Sequence, residues 1–157
     1  MCKRIPTQGI RSSHTCYAGP MITAEEVMKL GHAFWELTRT HAPIESIRPF
    51  FINPGVLIPT GELMSLEAHH DMHRGFKDQV HDWQDMTVTQ ICEQPERVLA
   101  VGSVAWETSF TDGRPGRIRA VVGETWVIER GADGSLRCTH YWSNSIDIAA
   151  DSASFDP

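Results

Sequence analysis

The residues with the most chemical promise lie in the run GETWVIERGADGSLRCTHYWSNSI, Gly123 to Ile146, where a hairpin can bring together an acid, an imidazole and two indoles. Trp, Val, Ile, Thr and Tyr fill both arms, and Gly131, Ala132, Asp133 and Gly134 supply the backbone conformations of a tight reversal. Side chains alternate between strand faces, so loop length decides which residues meet. A type I turn over Ala132, Asp133 and Gly134, closed by a left-handed glycine, sets Gly131 opposite Ser135. Ile128 then faces Cys138, Trp126 faces His140 and Glu124 faces Trp142, all on one side. A two-residue Asp-Gly turn would shift the register by one and scatter them; the first register is the one adopted here.

Glu124, between Val122 and Trp126 on a buried face, must be paired or protonated, because an isolated buried charge is too costly. If it reaches His140 diagonally across the hairpin, the two form a general acid–base pair. The competing reading of His140 is a hydrogen-bonded core histidine. For Trp106, Trp126 and Trp142, assigned to substrate contact, the competitor is plain core packing.

His69 and His73 stand four residues apart in a helical pattern, the spacing that sets two imidazoles on one metal. The Glu of an HExxH motif is missing and no third ligand is fixed, so no metal is expected, and a metal-dependent reaction would need His140 to converge with the pair. Both histidines are instead expected to line the polar end of a pocket with Phe76, His73 assisting proton transfer and His69 contacting substrate. Arg114, Arg117 and Arg119 form a small basic cluster that reads as a solvated loop.

Several elements must position these groups. Thr23 and Glu26 make a capping box, and Val27, Leu30, Phe34 and Leu37 recur at helical spacing, predicting a helix over about 24–39 in which His32 lies off the apolar stripe. Pro43 to Phe51 predicts a short second helix, and Val56 to Ile58 a short strand. Ser65 caps a third helix, SLEAHHDMHRGFKDQVHDW, with Leu66, His69, His73, Phe76 and Val80 in one arc and His70 and His81 toward water. Strands follow over 86–92, 98–110 and 118–130. If Phe110 pairs with Ile118, Gly102 lies opposite Trp126, and Trp106 shares the face of Glu124.

The 157 residues fit one domain, with 41% hydrophobic and 22% charged residues. The expected division is a flexible arm over 1–20, one domain over 21–148 and a frayed tail over 149–157; Met21 is an alternative start. A net charge of -6 with 14 thinly spread Lys and Arg argues against a nucleic-acid surface. No stretch approaches the roughly 18 apolar residues of a membrane span. Four cysteines without paired spacing read as reduced thiols, which predicts a cytoplasmic protein.

Helices followed by long antiparallel strands, with ETWVIERGADG and LRCTHYWSNS in the last hairpin, resemble the nuclear transport factor 2-like superfamily, and within it the SnoaL-like and ketosteroid-isomerase-like branch. The resemblance spans roughly Ile22 to Ile148 and rests on His140, Ser143 and the Asp133-Gly134 turn. It implies an α+β fold, a curved antiparallel sheet with three N-terminal helices forming a cone. It also implies a small-molecule ligand held between helices and inner sheet face, and a homodimer through the outer face. Where ketosteroid isomerase carries its catalytic aspartate this chain reads FINPGVLIP, with Asn53, and the Arg-Asp set of the cone-fold epoxide hydrolases is missing. Those two activities are disfavoured. The expected activity is cofactor-free isomerisation, dehydration or cyclisation of a small apolar carbonyl or hydroxyl compound, with a non-catalytic binding or accessory domain as the alternative.

Overall fold

The computed structural model describes residues 21–52, 55–93 and 95–155; the arm over 1–20 and Asn53 lie outside them. Helix α1 (Ala24–Arg39) starts at the expected capping box, the Thr23 hydroxyl accepting from the Glu26 amide and the Glu26 carboxylate from the Thr23 amide. Its buried stripe is Val27, Leu30, Gly31, Phe34, Trp35 and Thr38, while His32 lies outside and pairs with Asp82 at 2.6 Å. A short helix α2 (Ile44–Ile47) runs into a single 3-10 turn, and strands β1 (Gly55–Leu57) and β2 (Leu63–Ser65) lead to α3 (Leu66–His73). Ser65 caps α3 as expected, accepting from the Ala68 amide.

Four long strands follow: β3 (Phe76–Glu93), β4 (Glu96–Phe110), β5 (Ile118–Arg130) and β6 (Leu136–Ile148), in a six-stranded sheet ordered β2-β1-β6-β5-β4-β3. All pairs are antiparallel except β1 with β6. Bulges interrupt β3 between Asp78 and Val80, Trp83 and Asp85, and Gln90 and Cys92, and bulges bend the strand that carries them. Against the inner face α1 packs a dense aromatic cluster. Trp126 is fully buried, with ring centroids 5.5 Å from Phe34, 5.3 Å from Trp35 and 4.8 Å from Trp83. Gly31 makes this approach possible, since a Cβ there would lie 3.1 to 3.2 Å from Trp126, Trp35 and Trp83.

Three expectations are corrected. The third helix does not run through Trp83: it ends at His73, and Phe76–Glu93 is strand. The helical periodicity beyond Gly75 was outweighed by hydrogen bonding along the whole length of β4. Residues 149–155 are not frayed but fold back on the start of β5 through Ala149 and Ala153. The β4–β5 register is two residues off, Thr108 pairing with Ile118 and Gly102 with Glu124. A two-residue slip preserves parity, so Trp106 still shares the inner face with Glu124 and Trp126.

Candidate functional site

The turn of the last hairpin forms as read, with Gly131 paired to Ser135 and Gly134 at φ 80°, and Ile128 opposite Cys138. Beyond that pair the register changes. Thr139 is an extra residue in a bulge, its hydroxyl donating to the Val127 carbonyl at 3.2 Å, so His140 pairs with Val127 and Tyr141 with Trp126. A second bulge at Asn144 follows, with Glu124 opposite Ser143 and Gly123 opposite Ser145. Each bulge inverts the alternation. The inward residues of β6 are therefore Cys138, Tyr141, Ser143 and Ile146, whereas His140 is exposed and packs edge-on against Trp142 at 5.2 Å on the outer face.

The Glu124–His140 pair is thus overturned, because one inserted residue turns the imidazole out of the cavity. Trp142 leaves the pocket for the same reason. Trp126 faces inward but is closed in by the aromatic cluster and is core. A metal site from His69, His73 and His140 does not assemble, since the third histidine lies across the sheet.

A cavity of about 370 Å³ does open on the inner face, between α3, the ends of the long strands and the returning tail. Four expected groups line it: His69, His73, Phe76 and Trp106, with Glu124 set in its wall. His81, Tyr141, Ser143 and Phe155 join them. His81 was read as wet because it was placed on a helix; on β3 its side chain is 10% exposed and stacks on Trp35 at 4.4 Å. His70 is likewise buried, its Nε2 hydrogen-bonded to the Ala42 carbonyl at 2.8 Å, which fastens α3 to the end of α1.

Two buried carboxyl groups bear on this cavity in opposite states: Glu124 lines it, and Asp78 lies behind the His73, His81 and Trp106 that do. Asp78 lies among donors: Trp106 Nε1–H at 2.8 Å, His81 Nδ1 at 3.2 Å, and His73 Nδ1 at 3.9 Å. Burial pushes its pKa up, but the hydrogen bonds from His81 and Trp106 and the neighbouring imidazoles outweigh this and hold it below the usual aspartate value. The donors to Glu124 are neutral: Trp126 Nε1–H and the Ser143 hydroxyl, both at 2.9 Å, with the Tyr141 hydroxyl beside them. Full burial dominates, and its pKa rises to about 8. At neutral pH Asp78 is a carboxylate and Glu124 an acid. Burial, reinforced by the neighbouring histidines, also drives His69 well down; His73 falls to about 4 because burial outweighs Asp78, so both are neutral imidazoles.

Asp78 and Tyr141 escaped the sequence reading. Asp78 falls within the helix expected over the third element, and uninterrupted alternation from Cys138 would turn Tyr141 to the outer face. The odd spacing of inward-type residues, Cys138 to Tyr141 and Ser143 to Ile146, was the signal available. The basic cluster is engaged on the surface: Arg114 over the Phe110 ring at 3.7 Å, Arg117 with Glu107 at 3.8 Å, and Arg119 with Asp151.

No protein-family model matches the chain, nor does any curated protein. Solved structures do. An NTF2-like protein of unknown function in nutrient uptake from Rhodospirillum rubrum superposes with a TM-score of 0.60 at 11% identity, over 78% of this chain and 98% of its own. A protein from Novosphingobium aromaticivorans named as a candidate aromatic ring hydroxylase gives 0.59 at 13% identity, over 80% and 92%. One from Exiguobacterium sibiricum, named as a candidate Ca/calmodulin-dependent kinase II association domain, gives 0.52 at 14%, over 85% and 100%. At such identities the likeness concerns backbone and carries no activity across. Among the described residues no helix is long and apolar enough to cross a membrane. The helices before the sheet, the strand order and these superpositions agree: the chain has the nuclear transport factor 2-like fold, of the α+β class.

Proposed function

We propose that the cavity binds a small, largely apolar molecule bearing a carbonyl or hydroxyl and moves protons on it by general acid–base catalysis without an organic cofactor. The observation that carries this reading is the division of labour between Asp78 and Glu124. A carboxyl held protonated in the cavity wall and a second, held ionised behind the His81 that lines it, are the means by which a single site offers acid and base at the same pH. Asp78 accepts from His81 Nδ1–H, which leaves Nε2 as the basic nitrogen. Glu124 and the Ser143 hydroxyl supply the acid side, a protonated carboxyl reversing one hydrogen bond so that the hydroxyl is free to donate.

The test is proton exchange at the α-carbon of 2-tetralone in D2O, followed by NMR, which needs no knowledge of the natural product. Wild type is expected to accelerate exchange, and Asp78→Asn and His81→Gln to lower kcat/KM by roughly 10² to 10⁴. His140→Gln, on the outer face, should leave it unchanged. Saturable binding without exchange would leave the chain as a binding module.

The outer sheet face, which carries Val101 and Val121, 43% and 36% exposed, and the half-buried Trp142, is proposed as the homodimer surface. Sedimentation velocity should give twice the chain mass at micromolar concentration; a monomer would reject this assignment. The absence of paired cysteine spacing supports placement in the cytoplasm.

A further inference from the structure

Beyond β6 the chain runs back along the first residues of β5. The amides of Ala149 and Ala153 donate to the carbonyls of Arg119 and Arg117 at 2.9 and 2.8 Å, and the Arg119 amide donates to Ser152 Oγ at 3.0 Å. Asp151 pairs with the Arg119 side chain, and Ala153 seats on Gly116, where a Cβ would come within 2.8 Å of the alanine methyl. This path delivers Phe155 to the cavity. Its ring lies nearly parallel to Trp106, at 20° and 6.0 Å, and edge-on to Phe76 at 6.2 Å, yet it remains 38% exposed. Met72 and Ile148, 39% and 45% exposed, also line the cavity. The opening is therefore an apolar rim, one part of which hangs on a few hydrogen bonds and a surface ion pair at one strand end. Segments held this way open locally without unfolding the sheet.

We propose that Ala149–Phe155 is a hinged wall of the cavity, and that Phe155, with Trp106 and Phe76, selects ligands carrying an aromatic ring and a hydroxyl. This rests on reading the cavity as a ligand site. The physical reason is the ring quadrupole: three aromatic side chains already arranged parallel and edge-on to one another favour an aromatic guest beyond the area it buries, whereas a saturated ring of similar outline gains the area alone. The hydroxyl is matched to the polar side of the same cavity. Trp106 joins the two parts, because the indole under Phe155 is held through its Nε1–H by Asp78, the carboxylate that orients His81.

The experiment compares 2-naphthol with its saturated counterpart, decahydro-2-naphthol, by calorimetry and stopped-flow on the full chain. The variants are Phe155→Ala, Phe155→Leu and the double variant Asp151→Ala, Ser152→Ala. Wild type is expected to prefer 2-naphthol. Phe155→Ala should weaken 2-naphthol about tenfold and the saturated alcohol about threefold or less. Phe155→Leu should restore the saturated alcohol only. The double variant should raise both association and dissociation rates. By hydrogen exchange, the amides of Ala149 and Ala153 should open on the order of 100-fold faster than that of Trp126, and slow when 2-naphthol is bound. Equal losses for both alcohols, exchange at Ala153 as slow as at Trp126, or failure of folded wild type to bind 2-naphthol would each overturn the proposal. Binding as expected without α-proton exchange on 2-tetralone would support the wall while removing the catalytic reading.

Discussion

Glu124→Gln is expected to stabilise the protein at alkaline pH relative to wild type, by several kcal/mol, and to do little at pH 4. The wild-type carboxyl has an ordinary value of 4.5 and is raised to about 8 by burial in the fold, so the native state keeps a proton that the unfolded chain releases. Below pH 4.5 both states are protonated and the group is neutral in the balance. Between pH 4.5 and pH 8 the unfolded state binds fewer protons, and wild-type stability falls as pH rises, by up to about 1.4 kcal/mol per pH unit and on the order of 4 to 5 kcal/mol in all. Above pH 8 both states are ionised and the loss is complete. Glutamine has no such proton and still offers an oxygen to Trp126 Nε1–H and a group for Ser143. Urea denaturation of both proteins at intervals from pH 4 to pH 9 measures the difference. Parallel curves would show that Glu124 is ionised in the native state and that the acid side of the site is misassigned.

The same residue shows how far the sequence could be read. A carboxylate alternating with valine and tryptophan announced that it was buried and must be neutral or paired, and this follows from desolvation alone, whatever lies opposite. Thr23 with Glu26, Ser65 before α3 and the Gly131–Gly134 turn were legible for a similar reason: each satisfies local backbone groups within a few residues. Asp78 and His81 were not legible. Their pattern suits one face of a helix, and only the presence of β4, which arrives later in the chain, makes 76–93 a strand. Position-by-position pairing in β6 was lost for a different reason. A bulge is an agreement between two strands about which residue to leave unpaired, and Thr139 carries little local sign of it beyond a hydroxyl able to bond back to Val127. Phe155 belongs to a third class, a short polar-looking tail whose one aromatic residue matters only because Trp106 and Phe76 lie under it.

Tyr141→Ala is expected to destabilise the protein by about 3 to 5 kcal/mol, whereas Thr139→Ala should cost only about 1 kcal/mol, the net worth of the one hydrogen bond to the Val127 carbonyl. Tyr141 is 3% exposed and in ring contact with Phe34, Phe51 and Trp126, so its truncation opens a cavity in the middle of the aromatic cluster. Deleting Thr139 separates the count of residues from their contacts. With the extra residue gone, regular pairing from Ile128–Cys138 still sets His140 against Val127 and Tyr141 against Trp126, so the side-chain directions beyond the turn are kept and the deletion variant should fold. The register is held from both sides, by Gly131–Ser135 at the turn and by the β1 pairing of Tyr141 and Trp142 with Val56 and Leu57. Near-ultraviolet circular dichroism and a urea titration distinguish the cases. A Tyr141→Ala variant with a midpoint close to that of wild type would mean that Tyr141 lies outside the core, and a deletion variant without a native aromatic signal would mean that the bend made by the bulge, and not only the parity it sets, is required by the sheet.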